Sequence, residues 1–407
     1  MKKIESLKAT IDFNELSTIA ELAAANILQV RSSMLAPTAK KSSPVFSSQE
    51  LAELCSIDQS KIQYLTKKMK LPQGEKIGNK LHWTLENAQV WVRYCRKEFM
   101  RNTDSSAAVV ITIANFKGGV SKTTTAATLA QGLSLKGHRC LLIDADPQGS
   151  LSTIFGYLPD IEVEEEHTLI PLCTGTTSSI IPSIRKTYWH GIDIVTAAPF
   201  LFNAEFILPA RQKNDKNFEF WRVLDAALDD AKNEYDVIII DTAPSLSYLT
   251  INALMAANGI IMPMPPSAMD FASSAQFWSL FTDVCNSLFL KTGDNKKYNF
   301  IDILLSRVDN SASVSAAVRK WIISTYGSRV LPVEIPKTSI ATTSAAEFGT
   351  VYDINPSSVQ AKTLKRARDA YDSFVEHIEF QALGVWNADV DYFDGLKGQI
   401  QEQKISA

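Results

Sequence analysis

Hydrophobic positions along the chain follow two different periods, and the change falls near residue 106. In residues 1–30, apolar residues recur every three to five positions with charges between them, which predicts one or two amphipathic helices. Residues 32–44 are rich in Ser, Ala, Pro and Lys, a composition typical of a linker. Because an amphipathic helix cannot bury its apolar stripe alone, we expect residues 1–44 to form a dimerisation helix followed by a linker.

Residues 45–105 carry signals for two short helices. Ser47 and Glu50 match a capping box ahead of the first helix, and Asp58 begins a second helix after a short turn. This pattern predicts a helix-turn-helix in which residues 59–69 form the recognition helix. Its outward positions are Gln59, Ser60, Lys61, Gln63, Tyr64 and Lys67.

A hairpin signal follows the second helix. Gly78 and Asn79 lie between two short segments of strand character, a combination typical of a two-residue turn. Thr84 then caps a helix that we expect to run to about Met100. A hairpin in this place would form a wing, so residues 45–105 are predicted to be a winged helix-turn-helix DNA-binding domain.

From residue 107 onward, short apolar runs alternate with helical stretches. Continuous Val, Ile and Leu runs separated by helices predict a mainly parallel sheet covered on both faces. The candidate strands are residues 109–114, 140–144, 192–196, 237–241, 260–264, 301–306 and 330–333. We therefore expect residues 106–407 to be one α/β domain.

Charge is distributed unevenly between these parts. The net charge of −3 divides into +5 for residues 1–105, with 16 basic and 11 acidic residues, and −8 for the remainder, with 25 and 33. Residues 61–101 hold ten basic and three acidic residues. Such an excess is typical of a surface that contacts the phosphate backbone of DNA, although a solvated basic face would look the same.

Two classes of protein are disfavoured by composition. The longest apolar runs fall far short of the roughly 20 residues that span a bilayer, and the N-terminus lacks the apolar segment of a signal peptide. We therefore expect a cytoplasmic protein that does not engage a membrane. The five cysteines and five histidines are scattered without metal-ligand spacing, so neither a disulfide framework nor a zinc site is predicted.

A glycine-containing loop stands between the first candidate strand and a helical pattern over residues 123–135. Its residues are Lys117, Gly118, Gly119, Val120, Ser121, Lys122, Thr123 and Thr124. This context is that of a phosphate-binding loop, in which backbone N–H groups and a helix N-terminus surround phosphate oxygens. We expect ATP or ADP here, with Lys122 against the β and γ phosphates and the Thr123 hydroxyl on Mg²⁺.

The loop departs from the ordinary P-loop pattern. Phe116 and Ser121 occupy its two glycine positions, and a second lysine, Lys117, precedes the glycine pair. This arrangement resembles the deviant Walker A motif of the ParA/MinD group of ATPases. In that group the early lysine acts on the nucleotide of a partner subunit, so the resemblance implies a catalytic role for Lys117 and an ATP-dependent homodimer.

Two acidic strand ends extend the resemblance. The strand at residues 140–144 leads into Asp146-Pro147-Gln148-Gly149, similar to the group's second Walker element, in which Asp146 would orient the attacking water. Asp144 could instead approach the metal, and the sequence does not separate the two carboxylates. The strand ending at Asp241 fits a Walker B motif, which would place that carboxylate near Mg²⁺.

The chain looks most like the long, plasmid-type ParA partition ATPases, which carry a DNA-binding module ahead of the ATPase. The resemblance implies nonspecific DNA binding by an ATP dimer, autorepression by the apo or ADP form, and hydrolysis stimulated by a ParB-type partner. Nonspecific DNA binding would place the protein on the nucleoid. The sequence does not decide whether dimers extend into filaments on DNA. The main alternative is a transcription regulator with ATP as a structural ligand; a third is a metabolic or metal-cluster enzyme of the same group.

Two further surfaces complete these expectations. The cations clustered on a late predicted helix, residues 357–378, are candidates for nonspecific DNA contact, although four within seven positions cannot share one helical face. They are Lys362, Lys365, Arg366 and Arg368. From the usual position of the base in P-loop folds, we expect the adenine near Arg307 and Pro336.

Overall fold

A computed structural model of the chain describes residues 12–34, 41–293, 296–309, 313–337, 349–354 and 359–387. These residues fall into two compact units divided between Ser42 and Ser43. The first contains helix α1 (Phe13–Met34), so the helix continues into the beginning of the predicted linker. Predicted helical positions in residues 1–11 lie outside the described residues.

The second unit begins with a small antiparallel sheet and three helices. These elements are β1 (Val45–Ser47), α2 (Ser48–Leu54), α3 (Lys61–Met69), β2 (Glu75–Ile77), β3 (Lys80–Thr84) and α4 (Leu85–Cys95). The strand order is β1-β3-β2, and β2 and β3 form the predicted hairpin. The capping box is confirmed, because the Ser47 side chain accepts from Glu50 N–H and the Glu50 carboxylate accepts from Ser47 N–H.

Two helix boundaries differ from the prediction. Helix α3 begins at Lys61 rather than at Asp58, because the Asp58 carboxylate accepts the Ser60 N–H at 2.8 Å and closes a local turn ahead of the helix. Helix α4 is capped by Thr84 as predicted but ends at Cys95 rather than near Met100. A single 3₁₀ turn, Lys97–Phe99, follows it.

An eight-stranded sheet forms the rest of this unit. Its strands are β4 (Val109–Ile113), β5 (Cys140–Ala145), β6 (Arg185–Lys186), β7 (Ile192–Val195), β8 (Val237–Thr242), β9 (Gly259–Met264), β10 (Phe300–Val308) and β11 (Val330–Pro336). Their order is β11-β10-β9-β4-β8-β5-β7-β6, and all neighbours are parallel except β6 and β7. The predicted mainly parallel sheet is therefore confirmed, and only the two-residue edge strand β6 had no sequence signal.

Helices cover both faces of this sheet. They are α5 (Lys122–Leu135), α6 (Ser150–Ile154), α7 (Ile170–Thr174), α8 (Ala204–Asn214), α9 (Val223–Ala227), α10 (Asp229–Glu234), α11 (Tyr248–Ala256), α12 (Ala268–Thr292), α13 (Ser313–Tyr326) and α14 (Ala361–Trp386). Alternate strand residues enter different cores: Ile111 packs with α5 and α14, whereas Val110 packs with α8 and α11. Helix α14 begins at Ala361, after its N-cap Gln360, rather than at the predicted residue 357, which lies outside the described residues, and it extends past the predicted end at Ile378.

Helix α4 packs against the end of α5. Gln89 Nε2 donates to Ser134 Oγ at 2.6 Å, and the guanidinium groups of Arg93 and Arg96 donate to the carbonyls that follow α5 at 2.6 and 2.7 Å. Arg101 forms an ion pair with Asp236 at 3.0 Å. Three of the ten basic residues in segment 61–101, whose side chains are buried or partly buried, thus bond to groups of this chain, which corrects the interpretation of that whole excess as a surface. The domain boundary at residue 105 remains a prediction.

Candidate nucleotide site and cationic surfaces

Three central strands bring the predicted Walker elements to one edge of the sheet. Strands β4, β8 and β5 are neighbours, and the register pairs Asp241 with Ile113 on one side and with Asp144 on the other. The segment of residues 117–124 follows the end of β4, and Lys122, Thr123 and Thr124 form the first turn of α5, which begins one residue before the predicted start. The carboxyl edge of a parallel sheet is where such folds bind ligands, so motifs far apart in sequence meet there.

The loop has the backbone of a phosphate cradle. Gly119 and Ser121 both have positive φ, 73° and 79°, and Ser121 stands where the ordinary motif has glycine. A non-glycine residue in this region costs roughly 1–2 kcal/mol. Neighbouring contacts hold the turn, because Ser306 Oγ donates to the Val120 carbonyl at 3.0 Å and Arg307 Nη1 donates to the Gly119 carbonyl at 2.5 Å.

The two lysines of the loop are both tied to groups of this chain. Lys122 is 7% exposed and donates from Nζ to the Lys117 carbonyl at 3.0 Å. Burial lowers the pKa of Lys122, and the nearby Asp241 and Asp146 oppose that shift. Lys117 Nζ lies 3.0 Å from Oδ2 of Asp270, in the first turn of α12. Its predicted role on a partner's nucleotide therefore requires that this ion pair open.

Asp241 has the properties of a metal ligand. It is fully buried, and neither carboxylate oxygen makes a hydrogen bond of ordinary geometry within the described part of the chain, although the Thr123 hydroxyl lies close enough to interact with it. Burial and the neighbouring Asp144 raise its pKa well above the usual range, while the Thr123 hydroxyl and the Lys122 ammonium lower it. An unsatisfied buried carboxylate beside a hydroxyl fits Mg²⁺, which prefers oxygen ligands.

The structure distinguishes the two carboxylates after β5. Asp144 is fully buried and accepts three hydrogen bonds, two from Ser152 at 2.8 Å and one from the Asp146 N–H at 3.2 Å. Burial raises its pKa to about 7, although the bonds from Ser152 lower it. Asp146 is half-buried, and its Oδ1 accepts the Gln148 N–H at 3.0 Å. This favours Asp146 for orienting water and Asp144 for anchoring the loop.

A pocket of about 500 Å³ adjoins the Lys117 end of the loop. Arg307, which has an unusual φ of 51°, lines it together with Lys337. Pro336 ends β11 and pairs in register with Val308, so it stands next to the pocket through Lys337. Sequence reasoning missed Asp270, which lines the same pocket without belonging to any motif.

Residues 108–291 match the family model of an AAA domain. SopA from Escherichia coli strain K12 is 30% identical over 328 residues, which cover 78% of this chain and 82% of SopA. The chromosome partitioning protein ParA from Caulobacter vibrioides is 32% identical over 64% of this chain and 92% of that protein. The chain belongs to the ParA family of partition ATPases. No helix among its described residues combines the length and apolarity needed to cross a membrane.

The carboxyl ends of β4, β5 and β8, with residues 117–124, form what we call the nucleotide edge. A solved structure supports its interpretation as a nucleotide site. Cobyrinic acid a,c-diamide synthase from Mycobacterium smegmatis, with bound ADP and magnesium, is 26% identical to this chain. The match covers 69% of this chain and 96% of that one, with a TM-score of 0.52. That relative holds ADP and magnesium on the fold that this ParA-family chain shares.

The residues predicted to contact DNA are placed on two exposed surfaces. All six predicted residues of the recognition segment are exposed, and the Lys68 ammonium lies 5.1 Å from the ring centroid of Tyr64. On α14 all four predicted cations are exposed. Lys362, Lys365 and Arg366 fall within about 100° of the helix circumference, while the Arg368 guanidinium lies 5.4 Å from the Tyr352 ring. Three cations thus share one face.

Proposed function

We propose that this chain is a nucleotide-switched partition ATPase that binds ATP and Mg²⁺ at residues 117–124 and acts on DNA as a homodimer. The observation that carries the proposal is the Asp241 carboxylate, which is buried beside the Thr123 hydroxyl and makes no well-formed hydrogen bond in the described chain. It lies next to Lys122 and Thr123 at the end of the phosphate loop. A carboxylate in that position is costly unless a cation neutralises it.

Each residue of the edge has a distinct part in hydrolysis. The N–H groups of the loop bind phosphate oxygens, and Lys122 leaves the Lys117 carbonyl to contact the β and γ phosphates. Thr123 and Asp241 hold Mg²⁺, which neutralises charge on the transferred phosphoryl group. Asp146 orients the attacking water, and Lys117 leaves Asp270 to act on the nucleotide of the second subunit. Arg307 and Pro336 border the adenine.

Nucleotide state controls DNA binding in this proposal. In the ATP dimer, the exposed cations of α14 contact phosphates without sequence preference, which places the protein on the nucleoid. In the apo or ADP form, the recognition helix binds an operator and represses the protein's own operon. A ParB-type partner stimulates slow hydrolysis and resets the cycle. The resemblance to SopA and ParA supports this sequence of states, and the exposure of both cationic surfaces agrees with it.

The test compares the unmodified protein with Lys122→Gln. ATP hydrolysis by the variant should fall at least about 100-fold, because one preorganised cation on the transferred phosphate contributes several kcal/mol. Lys213→Gln, an exposed lysine in α8, is the matched control. DNA binding is measured without nucleotide, with ADP and with ATP, on operator and random duplexes. Normal hydrolysis by Lys122→Gln contradicts the site, and identical DNA binding in all three states favours the static transcription regulator.

A further inference from the structure

Ser152 occupies a buried position between the active-site edge and the segment that follows β7. It lies in α6 with no exposed surface. Its N–H and its hydroxyl both donate to Oδ2 of Asp144, each at 2.8 Å. Its Oγ also accepts the N–H of Ala197 at 2.9 Å. A hydroxyl can donate one hydrogen bond and accept others at the same time. The Ser152 hydroxyl therefore links Asp144, at the end of β5, to Ala197, in the segment that follows β7.

The connection continues from Asp144 to the carboxylate proposed to orient water. Asp144 Oδ1 accepts the backbone N–H of Asp146 at 3.2 Å. The same loop packs against the Ala197 segment at Gly149, which has a φ of 62° and where an added Cβ would lie 2.8 Å from the Ala197 carbonyl oxygen. Ala197 therefore holds the loop from two sides, through the Ser152 hydroxyl and through close packing at Gly149.

We propose that Ser152 is a positioning residue for ATP hydrolysis, which holds Asp144 and, through it, the Asp146 loop in the orientation that aligns the attacking water. The inference rests on the proposed function. Residues 117–124 carry the phosphate contacts, so Ser152 acts on turnover and leaves nucleotide affinity unchanged. No local motif signals this role, because the partners of Ser152 stand 8 and 45 residues away.

Replacement by alanine removes two hydrogen bonds and keeps one. The backbone N–H of residue 152 still donates to Asp144, but the hydroxyl bond to that carboxylate is lost and the Ala197 N–H loses its acceptor. A hydrogen bond to a buried carboxylate is among the stronger ones. We expect kcat to fall about 10- to 100-fold, with the KM for ATP within about twofold of the unmodified protein. Threonine keeps the hydroxyl and should restore most of kcat.

The experiment compares Ser152→Ala, Ser152→Thr and the control Ser150→Ala in the full chain. Ser150 is the exposed first residue of the same helix. Steady-state hydrolysis with Mg²⁺ gives kcat and KM, and a fluorescent ATP analogue gives the affinity of each variant. The proposal requires low kcat with normal affinity in Ser152→Ala, recovery in Ser152→Thr, and normal values in Ser150→Ala.

Two results overturn the inference. One is a normal kcat in Ser152→Ala; the other is a kcat in Ser152→Thr no higher than in Ser152→Ala, which shows that the hydroxyl is not what matters. If Ser152→Ala has lost affinity for the analogue, the substitution has disturbed folding. The kcat of Ser152→Thr relative to that of Ser152→Ala then decides the role of the hydroxyl. Should the unmodified protein and Lys122→Gln hydrolyse ATP equally, it is the proposed function that fails, so the two failures are distinguishable.

Discussion

The nucleotide edge and the cationic surfaces place charge in opposite surroundings. Lys122, Asp144 and Asp241 are at most 7% exposed at the edge, whereas every predicted DNA-contact residue on α3 and α14, and on the turn ahead of α3, is exposed. A buried charge costs several kcal/mol unless a partner or a ligand compensates it. An exposed charge has no such requirement and contributes little alone.

This difference predicts how each region responds to substitution. At the edge, each residue has a separate role in hydrolysis that no neighbour can take over, so one change should remove most of the activity. On the surfaces, affinity follows the number of cations near the phosphates, so single changes act weakly and add together. Effects should therefore be largest at the edge and smallest on α14.

The largest effect is expected for Asp241→Asn. An amide cannot replace the carboxylate as a charged metal ligand, so hydrolysis should fall at least about 100-fold and Mg²⁺ should lose its effect on ATP affinity. The free energy of unfolding without ligand should rise by about 1 kcal/mol, because a carboxyl group whose pKa is raised by burial and by Asp144 destabilises the fold at neutral pH. Hydrolysis assays, nucleotide titrations with and without Mg²⁺, and denaturant unfolding measure these quantities.

Asp229→Asn is the matched control for that experiment. Asp229 is an exposed residue of α10 in a surface ion pair with Lys232 at 3.3 Å, a pair of the kind worth little. It should leave hydrolysis and Mg²⁺ dependence unchanged. If Asp241→Asn hydrolyses ATP normally with an unchanged response to Mg²⁺, Asp241 is not the metal ligand, and the distinction between the two regions loses its main support.

Much of the nucleotide edge could be predicted because its signals are local. Every predicted strand of the large sheet is present, since short Val-, Ile- and Leu-rich runs between helices are typical of the buried strands of a parallel sheet. The carboxylates Asp144 and Asp241 follow directly from those runs, because the end of a parallel strand determines where they lie. The order and spacing of the apolar runs were therefore enough to predict that the Walker elements meet at one edge of the sheet.

The partners of these residues could not be predicted, because they meet only in the folded chain. Asp270 reaches Lys117 from another helix, and Glu379 reaches Arg96 across 283 positions. The basic excess of residues 61–101 was misjudged for the same reason, since composition does not show that Arg93, Arg96 and Arg101 bond to carbonyls and a carboxylate of the chain itself. Long-range contacts of this kind leave no periodic pattern.

A second prediction concerns the buried ion cluster that joins α4, α5 and α14. Glu379 is 3% exposed and accepts hydrogen bonds from His138 and Arg96, each at 2.8 Å, while Lys136 lies at 3.1 Å. Glu379→Gln leaves the Arg96 and Lys136 cations without their shared carboxylate. The free energy of unfolding should fall by about 3 kcal/mol at pH 7, as measured by denaturant unfolding.

The pH dependence gives this prediction its check. Burial raises the pKa of Glu379, but the hydrogen bonds from His138 and Arg96 outweigh it and hold that pKa well below its usual range. A carboxyl group whose pKa is lowered in the folded state stabilises the fold when the pH is above its ordinary pKa, near 4.3. That contribution is lost as the pH falls below this value. The deficit of Glu379→Gln should therefore shrink below about pH 4. A constant deficit, or an equal one in the exposed control Glu376→Gln, would contradict the role of the cluster.

The smallest effect is expected on α14. Lys365→Gln combined with Arg366→Gln removes two exposed cations of one helical face. In the ATP state, the slope of log affinity for random DNA against log salt should fall by about 2, because each lost phosphate contact releases about one counterion fewer. ATP hydrolysis without DNA should stay normal, since neither side chain lines the pocket beside the phosphate loop.

The control for α14 removes the same charge elsewhere. Lys213→Gln combined with Lys216→Gln neutralises two exposed lysines at and just beyond the end of α8, so the net charge changes equally in both double variants. An unchanged salt slope in this control, beside a reduced slope in the α14 variant, locates the DNA contact on α14. If both variants lose the same slope, the effect belongs to total charge, and the cations of α14 are merely solvated.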